Sequence, residues 1–346
     1  MRYISIILIY CQVFLSEFHP KNAKLASVLI SSSFFMKLLV TGGAGFIGSH
    51  FIRHLIGTHP HDQIINLDKL TYAGNLENCK DYADHPNYRF VQGDIADAKR
   101  VDELAKEVDV IVNVAAETHV DNSIEGPAVF LQTNVIGTQV LLEAAKKYGH
   151  TRFIQVSTDE VYGDRMEGFF TESDKLTPSN PYSASKAAAE MLCLAYHRTY
   201  KTPVIISRCS NNYGPNQYPE KLIPLFIQKL LKGEKVPLYG TGSNIRDWLN
   251  VTDHCRAVDV ILRQGKIGEI YNISANEEHS NLEVVKRMLA QLGLSEERIE
   301  YVADRPGHDL RYAIDASKIK NELGWEPQVD FEQGFKEMVE WYQNNY

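Results

Sequence analysis

The sequence predicts an α/β fold: a doubly wound parallel sheet with a smaller C-terminal mixed α/β region. Three observations predict it. From Lys37 to about Arg208 short apolar runs alternate with longer amphipathic ones; a glycine-rich turn follows the first run; and beyond Arg208 the texture shifts to Gly, Pro, Asn and Tyr.

Read in order, Lys37 to Thr41, Gln63 to Leu67, Tyr88 to Gln92, Val110 to Val114, Arg152 to Ser157 and Pro203 to Ser207 are expected strands, and the stretches between several of them helices. Parallel neighbours need crossovers, which helices supply, and ligands then sit at the carboxyl ends of the strands. Pro127 to Tyr148 predicts one helix, apolar at Val129, Phe130, Val135, Ile136, Val140, Leu141 and Leu142 and stopped by Gly149. Residues 36–208 are thus expected to form a dinucleotide-binding unit. Residues 209–346 are expected to be mainly substrate-binding, with segments that return to the sheet. The first 35 residues stand apart. Ile4 to Leu15 is apolar but shorter than the roughly 20 residues a membrane span requires, and upstream sequence from a misplaced start codon is the preferred expectation, ahead of a signal or an interfacial anchor.

A net charge of -8 argues against a nucleic-acid surface, and 44% hydrophobic with 23% charged residues fits a soluble globular protein. The five cysteines, Cys11, Cys79, Cys193, Cys209 and Cys255, are widely spread, which suits buried free thiols in a reducing cytoplasm and no zinc site. No metal and no membrane partner are expected.

Thr41 to Gly48 reads TGGAGFIG, with Gly42, Gly45 and Gly48 spaced G-x-x-G-x-x-G between a strand and an amphipathic helix, and Phe46 and Ile47 of this turn are expected at the cofactor with them. Glycine lets backbone N–H groups approach a diphosphate, and a helix N-terminus favours negative charge. Asp68 lies twenty residues beyond Gly48, where a carboxylate accepts hydrogen bonds from a ribose and repels a 2′-phosphate; NAD is expected over NADP, although Lys69 softens that preference. Thr71, Asp94, Ile95, Ala115 and Ala116 fall near the ends of the second to fourth strands, along the path of the cofactor. Together these features make the sheet a Rossmann fold.

Tyr182 and Lys186, four apart on one face of a helix capped by Asn180-Pro181, form the next constellation. The Lys186 ammonium, beside a positive nicotinamide, is expected to lower the pKa of Tyr182 so that the phenol takes a proton from a sugar hydroxyl. Thr158-Asp159-Glu160 stands at the end of the fifth strand. In a continuing strand Asp159 and Glu160 would face opposite ways, so the chain is expected to leave strand geometry at Thr158. Two adjacent acids divide labour when their surroundings separate their pKa values.

Across Met36 to near the C-terminus the words TGGAGFIGSH, LDKLTYAGN, AAETHVDNSI, VSTDEVYGD, NPYSASKAAAE, RCSNNYGPNQYPEKLIP, PLYGTGSNIRDWLNV and RPGHDLRYAID resemble the dTDP-glucose 4,6-dehydratases of the extended short-chain dehydrogenase/reductase family. The Thr-Asp-Glu triplet separates this resemblance from related epimerases. It implies a cycle in which Tyr182, assisted by Thr158, deprotonates the 4-hydroxyl of dTDP-glucose as hydride passes to NAD. Glu160 then takes the C5 proton, Asp159 protonates the leaving 6-hydroxyl, and hydride returns to C6. It also implies a homodimer through the helices Pro127 to Tyr148 and Tyr182 to Tyr200. Glu117, His119, Thr158, Asn211, Lys221, Leu222, Pro237, Tyr239, Arg246, Asn281, Arg305 and His308 are implied to line the substrate pocket; a metal at Glu117, His119 and Asp121 is not. One departure stands out, Asn122 after His119-Val120-Asp121, where many members carry Arg. Dehydration of a UDP-linked or other nucleotide hexose is the nearest alternative. A non-catalytic NAD-binding regulator is the alternative from another class, though such proteins typically lose the Tyr or the Lys.

Overall fold

The computed structural model describes residues 35–345; the run Ile4 to Leu15 and Cys11 lie outside the described residues. The chain begins β1 (Lys37–Thr41), α1 (Phe46–Thr58), β2 (Gln63–Asp68), β3 (Tyr88–Gln92), α2 (Ala98–Ala105) and β4 (Val110–Asn113). It continues α3 (Val120–Glu125), α4 (Pro127–Phe130), a π-helical stretch Leu131–Gly137, α5 (Thr138–Tyr148), β5 (Arg152–Thr158), a 3₁₀ turn Asp159–Tyr162, α6 (Pro181–Tyr200) and β6 (Val204–Cys209). All six expected strands form, Lys37–Thr41 and Tyr88–Gln92 with the expected bounds and the other four with an end displaced by one or two residues.

These strands and a seventh make one sheet, every pairing parallel. Alternate residues of β1 show why its run is apolar throughout. Leu38 and Val40 pack with Phe51 of α1 on one face, while Leu39 packs with Leu141 of α5 and Cys193 of α6 on the other. A sheet covered on both sides has no face for polar residues.

The expected single helix from Pro127 to Tyr148 is corrected: the π stretch interrupts it. Asn134 inside that stretch bonds the backbone N–H and C=O of Glu117 (2.9 and 3.0 Å) and the Ser185 hydroxyl of α6 (2.8 Å). Such tethers hold the widened turn in place, a common device near functional sites. Gly149 ends α5 at φ +64°, as its position predicts.

After β6 come β7 (Asn211–Tyr213), α7 (Leu222–Leu231), β8 (Val236–Tyr239), β9 (Ile245–Asn250), α8 (Val251–Gln264) and β10 (Ile270–Ile273). The last of these pairs with β6 and completes the seven-stranded sheet, order β10-β6-β5-β4-β1-β2-β3. Then follow β11 (Glu278–Ser280), α9 (Asn281–Gln291), β12 (Ile299–Val302), α10 (Ser317–Leu323) and α11 (Phe331–Asn345). A second core joins Phe226, Trp248, Met288, Phe335 and Tyr342. Among the described residues no helix is long and apolar enough to cross a membrane.

Candidate active site

The strand order reverses between β1 and β4, where a doubly wound sheet opens a crevice. One cleft runs along these carboxyl ends, lined by all the expected cofactor residues: Gly42, Gly45, Phe46, Ile47, Gly48, Asp68, Lys69, Thr71, Asp94, Ile95, Ala115, Ala116, Tyr182 and Lys186. Its floor leaves no room for side chains. Gly42 takes φ +71°, and a Cβ there would lie 2.7 Å from the Ala115 Cα; at Gly48 it would lie 2.1 Å from the Gly42 carbonyl oxygen. This bare backbone at a helix N-terminus is the cradle a dinucleotide diphosphate needs.

Asp68 is buried at the end of β2, accepting from the N–H groups of Ala44 (2.9 Å) and Leu70 (2.8 Å), one on each oxygen. Each oxygen retains a lone pair for a ribose hydroxyl. Burial raises its pKa, and the two N–H donors oppose that. The ammonium of Lys69 sits 2.7 Å from Asp94, so its charge is answered within the protein. The residues fit NAD.

At the far end of the cleft β5 stops at Thr158, as expected, and the chain turns into the 3₁₀ helix. Thr158 caps that turn, its hydroxyl oxygen accepting from the Glu160 N–H (3.3 Å) while its O–H donates to Asp159 (3.2 Å). Asp159 Oδ2 and Glu160 Oε2 are buried without a hydrogen-bond partner among the described residues, an arrangement that is costly unless a ligand completes it. The two acids differ electrostatically. Burial, then Glu160, then Asp247 push Asp159 well above the carboxylate range. Burial also raises Glu160, but Lys221, Arg246 and Arg305 oppose the rise. Asp159 is therefore the better acid and Glu160 the better base.

Tyr182 is buried beside them, and against that burial the Thr158 hydroxyl acts to lower its pKa. Lys186 donates to the Val156 carbonyl (2.7 Å), and burial, followed by Glu160 and Cys209, raises the Tyr182 pKa well above its ordinary value. The expected lowering of the Tyr182 pKa calls for the positive nicotinamide as well as Lys186. Burial lowers the pKa of Lys186 itself to about 8.

Of the residues implied to hold substrate, Glu117, Thr158, Asn211 and Lys221 line the cleft, and Asn211 Oδ1 is another buried atom without a partner. Arg246 is buried with no carboxylate paired to it among the described residues, donating to the carbonyls of Ile245 (2.7 Å) and Asp309 (2.9 Å) over the Tyr312 ring. Arg305 reaches Asp121 (3.2 Å), and the His308 ring meets Tyr239 edge-on at 6.0 Å. Leu222 packs on the second core, His119 caps α3, and Pro237 and Asn281 lie in β8 and at the start of α9; these four, like Arg246, Arg305, Tyr239 and His308, do not line the cleft.

A family model described as GDP-mannose 4,6 dehydratase matches residues 39–338. A low-salt glycan biosynthesis protein of Haloferax volcanii is 55% identical, covering 89% of this chain and 98% of its own. Crystal structures of dTDP-glucose 4,6-dehydratases from Streptomyces venezuelae and Bacillus anthracis, both with NAD, are 51% and 54% identical with TM-scores of 0.88 and 0.84. They cover 90% of this chain and 98% and 97% of theirs. The chain belongs to the dTDP-glucose 4,6-dehydratase family.

The residue that departs from the pattern of the dTDP-glucose 4,6-dehydratases, Asn122, donates its backbone N–H to His119 Nδ1 (3.4 Å), and its side chain acts to lower the pKa of Tyr72 against burial. Tyr72 in turn donates to Glu220 (3.2 Å) and packs edge-on against Tyr218. Tyr218 and Glu220, with Thr133 of the π stretch and Ser210, line the cleft and were not singled out from the sequence. The Asn-Gly-Pro-Tyr texture after Arg208 was the available signal for the first two. Thr133 had none, since the apolar spacing around it reads as ordinary helix.

Proposed function

We propose that the protein uses Asp159, Glu160 and Tyr182 to remove water from dTDP-glucose, giving dTDP-4-keto-6-deoxyglucose. The observation that carries this reading is the pair of buried, unpartnered carboxyl oxygens at the end of β5 beside the Tyr182 phenol. NAD, when bound, supplies the acceptor and donor of the hydride that leaves C4 and returns to C6. With NAD bound, Lys186 and the positive nicotinamide would favour the Tyr182 phenolate, which would take the proton of the 4-hydroxyl. The resulting ketone acidifies C5, and Glu160 removes that proton. Asp159, kept neutral by burial and by its acidic neighbours, protonates the departing 6-hydroxyl. Lys186, anchored on Val156, holds positive charge near the phenol. Arg246 and Arg305 are assigned to the substrate diphosphate, and Tyr239 to the base.

The test is incubation of the purified protein with dTDP-glucose, UDP-glucose and GDP-mannose in turn, without added NAD. A 4-keto product from dTDP-glucose is expected; product from another hexose alone would refute the substrate assignment.

The same reading includes a cytoplasmic homodimer. The four described cysteines are buried free thiols, which suits a reducing compartment. Ile124, Val129, Leu131, Ile136 and Met191 are exposed apolar side chains on α3 to α6, a surface suited to a partner. Replacing Leu131 and Ile136 together by Glu should give a monomer in analytical ultracentrifugation; an unchanged sedimentation coefficient would move the interface elsewhere.

A further inference from the structure

Behind the turn that carries both acids lies a charged network for which the reaction scheme has no role. Glu190 of α6 and Arg208 of β6 are buried, and the guanidinium holds the carboxylate with two nitrogens, Nε at 3.0 and 3.2 Å and Nη2 at 2.6 Å. Its Nη1 donates to the Tyr162 hydroxyl oxygen (2.6 Å) and lies within 3.4 Å of the Glu172 carbonyl. The Tyr162 O–H donates to Asn272 Oδ1 of β10 (2.9 Å), and the Arg208 guanidinium covers the Tyr162 ring at 4.6 Å. Tyr162 is the last residue of the Asp159–Tyr162 turn. Glu190 stands one helical turn after Lys186 and two after Tyr182, on the same face of α6.

An ion pair this deep contributes little net stability against apolar groups of the same volume, so geometric specificity is the better account of it. Each bond is directional, and together they tie the acid-bearing turn to the helix that bears the oxidising pair. We propose that Glu190, Arg208 and Tyr162 are positioning residues that register the two halves of the reaction. They hold Asp159 and Glu160 at a fixed offset from Tyr182 and Lys186, so that C5 and C6 meet the acids while C4 faces the phenol. The proposal rests on the dehydratase reading above.

Glu190 also bears on Lys186. The groups acting on that ammonium are Glu190 and Cys193 from its own helix and Cys209 from β6, while the Val156 carbonyl of β5 accepts its hydrogen bond. Glu190 holds the proton on Lys186 against burial. Removing the charge at 190 lets Lys186 deprotonate at a lower pH.

The experiment is single-turnover kinetics of the purified holoenzyme on dTDP-glucose, following the appearance and decay of reduced-nicotinamide absorbance. Wild-type protein that forms no product refutes the dehydratase reading itself. With wild-type turnover in hand, Tyr162→Phe is expected to leave the rise within about twofold of wild type and slow the decay about tenfold, with KM changed less than about threefold. Rise and decay slowed by one common factor, or neither slowed, would overturn the proposal while leaving the dehydratase reading intact. Glu190→Gln is the second arm. The alkaline limb of its oxidation rate should shift to lower pH than in wild type, and an unmoved limb counts against the role of Glu190. Should either variant not fold, the other decides.

Discussion

Glu160→Gln is expected to oxidise its substrate and then stall, with reduced nicotinamide accumulating on the enzyme and turnover falling about 10²–10⁴-fold, the usual range for loss of a general base. The substitution keeps the shape of the side chain and removes only its ability to accept a proton. Its surroundings make the role specific: Lys221, Arg246 and Arg305 all favour the ionised form, against burial. The backbone N–H of Glu160 is held by Thr158, so the turn should survive the exchange. Stopped-flow absorbance checks the outcome. Turnover equal to wild type would remove Glu160 from the mechanism.

Tyr182→Phe should stop the cycle one step earlier, before any reduced nicotinamide forms. Loss of the hydroxyl removes the atom that receives the 4-hydroxyl proton, and an effect of about 10³-fold on oxidation is expected. The ring should stay where it is: it packs edge-on against Phe130 at 6.4 Å, and its backbone N–H is anchored on Ser123. The pH dependence has a definite sign. Burial brings Lys186 to about 8, so wild-type oxidation should weaken as pH rises past that value and the ammonium loses its proton. Normal accumulation of reduced nicotinamide in the variant would show that another group takes the proton.

Much of this arrangement can be read in the amino-acid order, for physical reasons. Parallel strands covered on both faces must be apolar along their length, so the runs at Leu38, Ile64, Val110 and Phe153 stand out. The glycines at 42 and 48 are legible because nothing larger fits where one loop meets another. The departure from strand geometry at Thr158 follows from requiring two neighbouring acids to share one ligand. Other features leave no local trace. The π stretch hides in ordinary helical spacing, because its cause is a tether from Asn134 to residues 17 and 51 positions away. The Lys186 bond to the Val156 carbonyl is likewise a long-range contact. Spacing alone puts the ammonium near the phenol but says nothing of the burial that opposes ionisation of the phenol.

The seventh strand bears on how such proteins diversify. Because β10 arrives from residues 270–273, after much of the smaller region has been traversed, and docks on β6, one cut near residue 210 would strip the sheet of its outer member. Exchange of specificity between relatives by recombination cannot be confined to the block between β6 and β10: α8 in that block packs on the sheet beside Phe51, and Phe226 and Trp248 share a core with Met288, Phe335 and Tyr342 beyond β10. A graft that keeps both cores whole must carry residues from either side of the closing strand.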